Sequence, residues 1–178
     1  MANTDFSRYG YYGSDQVEAA VYRYMAEELS QENDDPGEIH IPTVKIAAIE
    51  AAGNEMLVYG TFLIENFRII DDDILECISS AFYPGVMHVD KNGKITEFER
   101  LINCEVLGDE ARAMFGRHYD AYAKICNDDE GISKERLKII SEYVRRNDLN
   151  VTQMQDEGGD PEPLLDLRLG KRDAVREI

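Results

Sequence analysis

Residues 39–103 alternate between apolar segments and turn residues, and this pattern restricts the chain to folds built on an antiparallel sheet. The segment from Ile39 to Ile49 is rich in β-branched residues, which pack well on a pleated surface. Met56 to Ile64 is apolar at both alternating positions, which is typical of a central strand covered on both faces. Turn residues follow these two segments, at Gly53-Asn54 and at Asp71-Asp72-Asp73. The pattern therefore predicts consecutive antiparallel strands.

The second half of this region predicts two further strands. Ile74 to Val89 is expected to form the third, with a bend or bulge at Pro84-Gly85 because proline lacks the ladder N–H. Asp90-Lys91-Asn92-Gly93 is a hairpin signal, since Asn and Gly tolerate positive φ. Lys94 to about Asn103 is expected to form the fourth strand. The apolar residues of that last segment would equally suit a short helix: Ile95, Phe98, Leu101 and Ile102.

Segments whose apolar residues recur at helical spacing precede and follow the predicted strands in the sequence. A first helix is predicted from about residue 15 to 31, with Ser14 as its N-cap. Beyond the strands, apolar residues recur at intervals of three and four from Ala111 to Cys126, behind Asp109 as a cap. Ser133 is expected to cap a further helix that ends near Arg146, and a short strand is expected near residues 150–154.

The order of these elements differs from the alternation of strands and helices in a parallel α/β fold. We predict an α+β fold, in which an N-terminal helix packs on a curved antiparallel meander and helices follow at the C-terminal side. Residues 1–13 are expected to be an irregular arm, residues 14–165 a single domain, and residues 166–178 a tail. That tail holds the only locally basic patch of the chain: Arg168, Lys171, Arg172 and Arg176.

Three segments together resemble a known superfamily: Leu57 to Phe62, Ser79 to Val89, and Gly93 to Glu99. The sequence resembles the cystatin-like cone superfamily, which includes nuclear transport factor and ketosteroid isomerase relatives, and in particular small bacterial domains of unknown function. Tyr143-Val144, with Asn147, and Gln155-Asp156 are similar to the tail of those domains, as is Asp160-Pro161. The resemblance covers about residues 44–165. It implies a cone-shaped fold and possible pairing of two copies through the sheet.

The charge balance limits the partners that the protein can have. Nineteen basic and 36 acidic residues among 178 give a net charge of −17. This charge repels polyphosphates, so DNA, RNA and anionic membranes are not expected as partners. No apolar run approaches the ~18 residues that span a bilayer, and the N-terminus has no secretory pattern. The expected location is the cytoplasm, or outside it if a leader has been removed.

No motif for a metal or a cofactor is found. The stretch from Asp90 to Glu99 is similar to a calcium-binding loop but spans ten residues instead of twelve, so a hairpin is favoured. The three cysteines contain no C-x-x-C pair and are expected to be buried free thiols. No nucleotide-binding loop is present either. We therefore expect neither a metal nor a cofactor.

The residues most able to carry chemistry lie on the predicted second and third strands. His88 is expected to project into the concave face of the curved sheet as a base, with Tyr59 as a hydrogen-bond donor. These two are the catalytic candidates. Phe62, Tyr83 and Val86 are the candidates for lining a ligand pocket.

Three functions remain open on the sequence alone. The favoured one is a non-catalytic domain that binds a small ligand or a protein. The second is an isomerase, lyase or hydrolase that uses His88 and Tyr59 on a small apolar substrate. The third is an acidic interaction protein, whose charge of −17 would attract a basic partner.

Overall fold

A strongly curled, mainly antiparallel sheet forms the centre of the molecule, with helices both before and after its strands. The computed structural model describes residues 11–29, 38–102 and 106–166. The α+β prediction is confirmed.

Four strands follow one another as the apolar segments predict. They are β1 (Ile39–Ala52), β2 (Glu55–Ile70), β3 (Ile74–Asp90) and β4 (Ile95–Arg100). Each pairs antiparallel with the next. Two short strands, β5 (Gln153–Asp156) and β6 (Glu162–Pro163), extend the sheet, and β5 runs parallel to β3. The edge of β3 is therefore shared, because β5 pairs with its first residues and β4 with its last.

The turn between β3 and β4 is the predicted hairpin. Gly93 has a φ of 72°, and one carboxylate oxygen of Asp90 accepts the backbone N–H groups of Asn92 and Lys94. The following segment is a strand and not the alternative helix, since Phe98 pairs with Met87. Asn103 lies outside the described residues.

The predicted bulge at Pro84-Gly85 is wrong, because the pairing with β2 continues without a shift through both residues. The carbonyl of Pro84 accepts the N–H of Leu101, so the proline nitrogen also faces the β4 side and no bond to β2 is lost. The register shifts instead at Ile46/Ala48, Asn66/Phe67 and His88/Val89.

Helical segments precede and follow the strands in the described part of the chain. Helix α1 (Gln16–Tyr24) continues as a π-helical segment over Met25–Leu29. Helices α2 (Asp109–Phe115) and α3 (Tyr119–Cys126) are joined by a 3₁₀ turn, and α4 spans Asp129–Arg146. The last part of the predicted first helix, residues 30–31, lies outside the described residues.

Three predicted helix boundaries are wrong. Asp15 and not Ser14 caps α1, since its carboxylate accepts the N–H groups of Val17 and Glu18. Gly108 is the N-cap of α2, where Asp109 was predicted, and Asp128 caps α4, so Ser133 lies inside that helix. The stripe from Ala111 to Cys126 is broken at Gly116, whose φ is 48°.

Both faces of β2 are covered, as the Met56 to Ile64 pattern predicts. Residues directly opposite in an antiparallel pair share a face. Helix α1 packs on the face that carries Val58 and Phe62. The other face carries Tyr59, which packs against α2 and α3, and Phe67, which packs against α4.

Candidate functional site

A groove lies between the first half of α4 and the β5–β6 segment. Its volume of about 630 Å³ exceeds that of two other described cavities, of about 360 and 370 Å³. Leu137 and Met154 supply apolar lining, and Ser133 and Gln155 supply neutral polar groups. The charged lining residues are Lys134, Arg136, Glu130, Asp156, Asp160 and Glu162. We call this cavity the α4–β5 groove.

The packing of α4 and β5 places this groove. Ile140 and Val144 of α4 are buried against Phe67 and Leu75 of the sheet, which turns Arg136 of the same helix toward β5. Strand β5 is held in register by its parallel pairing with β3, where Met154 lies opposite Leu75. Both elements are therefore fixed to the same part of the sheet.

Glu65 and Arg136 form a buried ion pair at the base of the groove. Nε of Arg136 lies 2.8 Å from each carboxylate oxygen of Glu65. The side chains are 4% and 20% exposed, so the charges are largely removed from water. Burial by itself lowers the pKa of Arg136, but its hydrogen bonds to Glu65 outweigh this effect and raise the pKa above its ordinary value. The guanidinium is therefore permanently charged.

The same guanidinium also reaches the rim of the groove. Nη2 of Arg136 lies 2.8 Å from Oδ1 of Asp156, at the end of β5. The Asp156 side chain is 72% exposed. Arg136 thus joins a carboxylate of the core to a carboxylate at the surface.

Cys77 completes this cluster, which could at first be taken for a metal site. Ligand atoms of Glu65, Cys77 and Asp156 all lie within 4.8 Å of one another. However, burial, and then the nearby Glu65 carboxylate, raise the pKa of the Cys77 thiol to about 12, and the Arg136 guanidinium already bridges the two carboxylates. The positive charge at this place is Arg136 itself, so the cluster is poorly suited to a metal ion.

A second carboxylate ties β5 to the sheet. Glu76 accepts hydrogen bonds from Nε of Arg68 at 2.7 Å and from Nε2 of Gln155 at 2.9 Å. The bond from Arg68, and then that from Gln155, lower the pKa of Glu76. Gln155 is thereby held beside the groove.

The charges of the groove are unbalanced. Both of its cations are already paired, Lys134 with Glu130 and Arg136 with Glu65 and Asp156. Within the described parts of the chain, the side chains of Asp160 and Glu162 take part in no hydrogen bond or ion pair. Residues 147–166 contain no Lys or Arg and six acids: Asp148, Asp156, Glu157, Asp160, Glu162 and Asp166. The groove therefore carries an excess of negative charge.

His88 lies at the other end of β3, far from the groove. Its Nδ1 is 3.1 Å from Oε2 of Glu55, and its Nε2 is 2.9 Å from Oε1 of Glu99. Burial lowers the pKa of His88, but the hydrogen bonds to Glu99 and Glu55 raise it overall. Both ring nitrogens are thus used to join β2, β3 and β4.

Tyr59, the other catalytic candidate, has different neighbours. Its ring centre is 4.7 Å from that of His118 and 6.2 Å from that of Phe115. Burial, and then the Glu50 carboxylate, raise the pKa of its hydroxyl. Tyr59 and His88 share a face of the sheet, yet among the described residues no hydrogen bond joins them.

The three pocket candidates are divided between the two faces of the sheet. Phe62 and Tyr83 are directly opposite each other. Their ring centres lie 5.3 Å and 6.3 Å, respectively, from the ring centre of Phe98. Phe62 is fully buried in the cluster that α1 covers. Val86 is opposite Tyr59, on the other face. The structure therefore does not bring the three together.

The groove residues were missed by sequence reasoning, although one signal was present. Glu65 is the only charged residue in the segment from Met56 to Phe67, and strand alternation places it on a covered face. A lone carboxylate in that position indicates a buried ion pair, because an unpaired buried charge is costly. Its partner on α4 could not be identified in the same way.

Comparisons with known proteins identify no relative. A scan of protein-family models, a search of curated proteins and a search of solved structures each gave no match. Across the described residues, none of the helices combines the length and the apolar character that crossing a membrane requires.

Proposed function

We propose that the protein is a non-catalytic binding domain whose α4–β5 groove receives a basic segment of a protein partner. The observation that carries this proposal is that the cations of the groove are paired, whereas two of its carboxylates are not. Both cations form ion pairs with carboxylates, whereas the side-chain carboxylates of Asp160 and Glu162 have no partner among the described residues. A Lys or Arg side chain from outside would supply the missing positive charge.

The exposure of the groove favours a protein over a small ligand. Asp156, Asp160 and Glu162 are all exposed, so the cavity is open along its rim. A ligand enclosed by the protein usually has most of its surface buried in a cleft with mainly apolar walls. An open, acidic groove suits an extended basic peptide better, and the net charge of −17 would accelerate its approach.

The catalytic alternative has less support from the geometry. Both nitrogens of His88 are held by carboxylates, and the Cys77 thiol has a raised pKa, so neither offers a free base or nucleophile. The side chains in the groove instead form ion pairs that hold its shape.

A peptide-binding assay tests the proposal. The probe is a fluorescently labelled peptide of alternating Lys and Gly, with a Glu-Gly peptide as the negative control, measured by anisotropy. We expect the Lys-Gly peptide alone to bind, with an affinity that falls as salt is added, because salt screens exposed charges. In D160N/E162Q the affinity should fall about tenfold, equivalent to about 1.4 kcal/mol.

A matched variant controls for net charge. D120N/E97Q also removes two exposed carboxylates, one on α3 and one on β4, and β4 pairs with the opposite end of β3 from β5. Its affinity should remain close to that of the unchanged protein. Equal loss in the two variants, or equal binding of both peptides, would contradict a basic-peptide groove.

A further inference from the structure

The chain itself contains a segment with the charge that the groove lacks. Arg168, Lys171, Arg172 and Arg176 lie within residues 167–178, which follow the described part of the chain and include two acids, Asp173 and Glu177. The preceding twenty residues hold six acids and no base. An acidic groove and a basic segment thus come one after the other in the sequence.

The described chain ends beside α4, the helix that lines the groove. After β6, the N–H of Leu164 is donated to the carbonyl of Thr152, and the N–H of Leu165 to Oγ of Ser141 on α4. Ser141 is eight residues along α4 from Ser133, which lines the groove. At 1.5 Å per residue, the two positions are about 12 Å apart.

The length of the segment is sufficient to cover this distance. Lys171 lies five residues beyond Asp166, and five extended residues span up to about 17 Å. The length is therefore sufficient for Lys171 and Arg172 to reach the groove that Asp160 and Glu162 also line. A tethered segment has an effective concentration in the millimolar range, so even weak attraction is enough for substantial occupancy.

We propose that residues 168–176 bind the α4–β5 groove of their own chain and compete with the partner for it. This inference rests on the proposed function, because it assigns the regulation of the same groove. The partner's apparent affinity is then reduced according to the fraction of molecules whose groove is free.

Substitutions in the full chain test the competition. K171Q/R172Q removes two positive charges from the segment, and K91Q/K94Q removes two from the β3–β4 turn as a matched control. With the labelled Lys-Gly peptide, we expect about tenfold tighter binding to K171Q/R172Q. The control gains the same negative charge but should bind as the unchanged protein does.

The outcomes separate the two proposals. Equal affinity in K171Q/R172Q and K91Q/K94Q overturns the competition and leaves the binding function standing. Absence of peptide binding by all of the proteins overturns both. A binding gain confined to K171Q/R172Q supports both.

Carbodiimide cross-linking gives a second readout that needs no peptide. The reagent joins a Lys amine to a carboxylate in contact with it. We expect Lys171 to be linked to Asp160 or Glu162 within monomers, with a yield that is independent of protein concentration. Links to other acids alone would overturn the proposal, as would links found only in dimers.

Discussion

The Nε–H group of Arg136 on α4 donates one bifurcated hydrogen bond to the carboxylate of Glu65 on β2, with both oxygens 2.8 Å from Nε, across 71 positions of the sequence. This pair fixes the helix on the sheet at the place where the groove opens. Because Nη2 of the same guanidinium also binds Asp156, one side chain sets the relative positions of β2, α4 and β5. The shape of the groove depends on this arrangement.

Removal of the arginine should destabilise the fold strongly. Arg136→Met leaves the Glu65 carboxylate buried without a charged partner, with the weak Cys77 thiol donor beside it. We expect the free energy of unfolding to fall by about 3 kcal/mol. This is the lower end of the range for breaking a buried ion pair, because one-fifth of the Arg136 side chain is exposed. Urea denaturation measures this change.

The E65L/R136M variant provides the control for that prediction. With both charges replaced by apolar groups, most of the lost stability should return. Lys134→Met, which breaks only an exposed pair on the same helix, should have little effect. A loss in Arg136→Met no larger than that in Lys134→Met would contradict the assignment.

His88 should make stability depend on pH in one definite direction. Its pKa is raised in the folded protein, so the folded state binds the proton more tightly than the unfolded chain. The added stability is complete below the unfolded pKa of about 6.5 and is lost as pH rises through the folded pKa. The unfolding free energy of the unchanged protein should therefore exceed that of His88→Gln by more at pH 5.5 than at pH 9. An equal or larger difference at pH 9 would refute this role.

Gly85 is required by the close approach of β4. A Cβ at this position would lie 2.1 Å from the backbone carbonyl oxygen of Glu99, and the strand would have to move. Gly85→Ala should cost about 1–3 kcal/mol, as overpacking does. It should also increase amide hydrogen exchange in β4. Ser80→Ala, an exposed site on the same strand, is the control and should change neither quantity.

Cys77 should be inert while the protein is folded. Burial, and then the Glu65 carboxylate, raise the pKa of its thiol to about 12, so the reactive thiolate is scarce at pH 8. Mass spectrometry after iodoacetamide treatment should find Cys77 alkylated in guanidinium but not in buffer. Alkylation in buffer at the rate of an unfolded control would show that the thiol is not protected.

The sheet could be predicted because its signals are local. Alternation, β-branched residues and the Asp90 to Gly93 turn each act over a few neighbouring residues, and all four strands of the meander follow from them. The helix starts could not be placed as well. Ser14 and Asp15 can both cap a helix, and the choice of Asp15 depends on which oxygen reaches the free N–H groups.

The groove could not be predicted, for a different reason. Its charged residues come from β2, α4 and β5, and their meeting depends on how α4 packs across the sheet. Residues 65, 136 and 156 are too far apart in the sequence to belong to one short motif. By contrast, the predicted strand positions of His88 and Tyr59 are correct. Their contacts could not be predicted from those positions: His88 binds Glu55 and Glu99, and the ring of Tyr59 packs against His118.

Mapping the bound peptide by NMR tests the central claim most directly. With ¹⁵N-labelled protein and the unlabelled Lys-Gly peptide, backbone amide shifts are followed residue by residue during titration. We expect the largest changes in residues 133–137 of α4 and in residues 155–162. Changes centred on His88 and the β3–β4 hairpin, or no changes at saturating peptide, would contradict it.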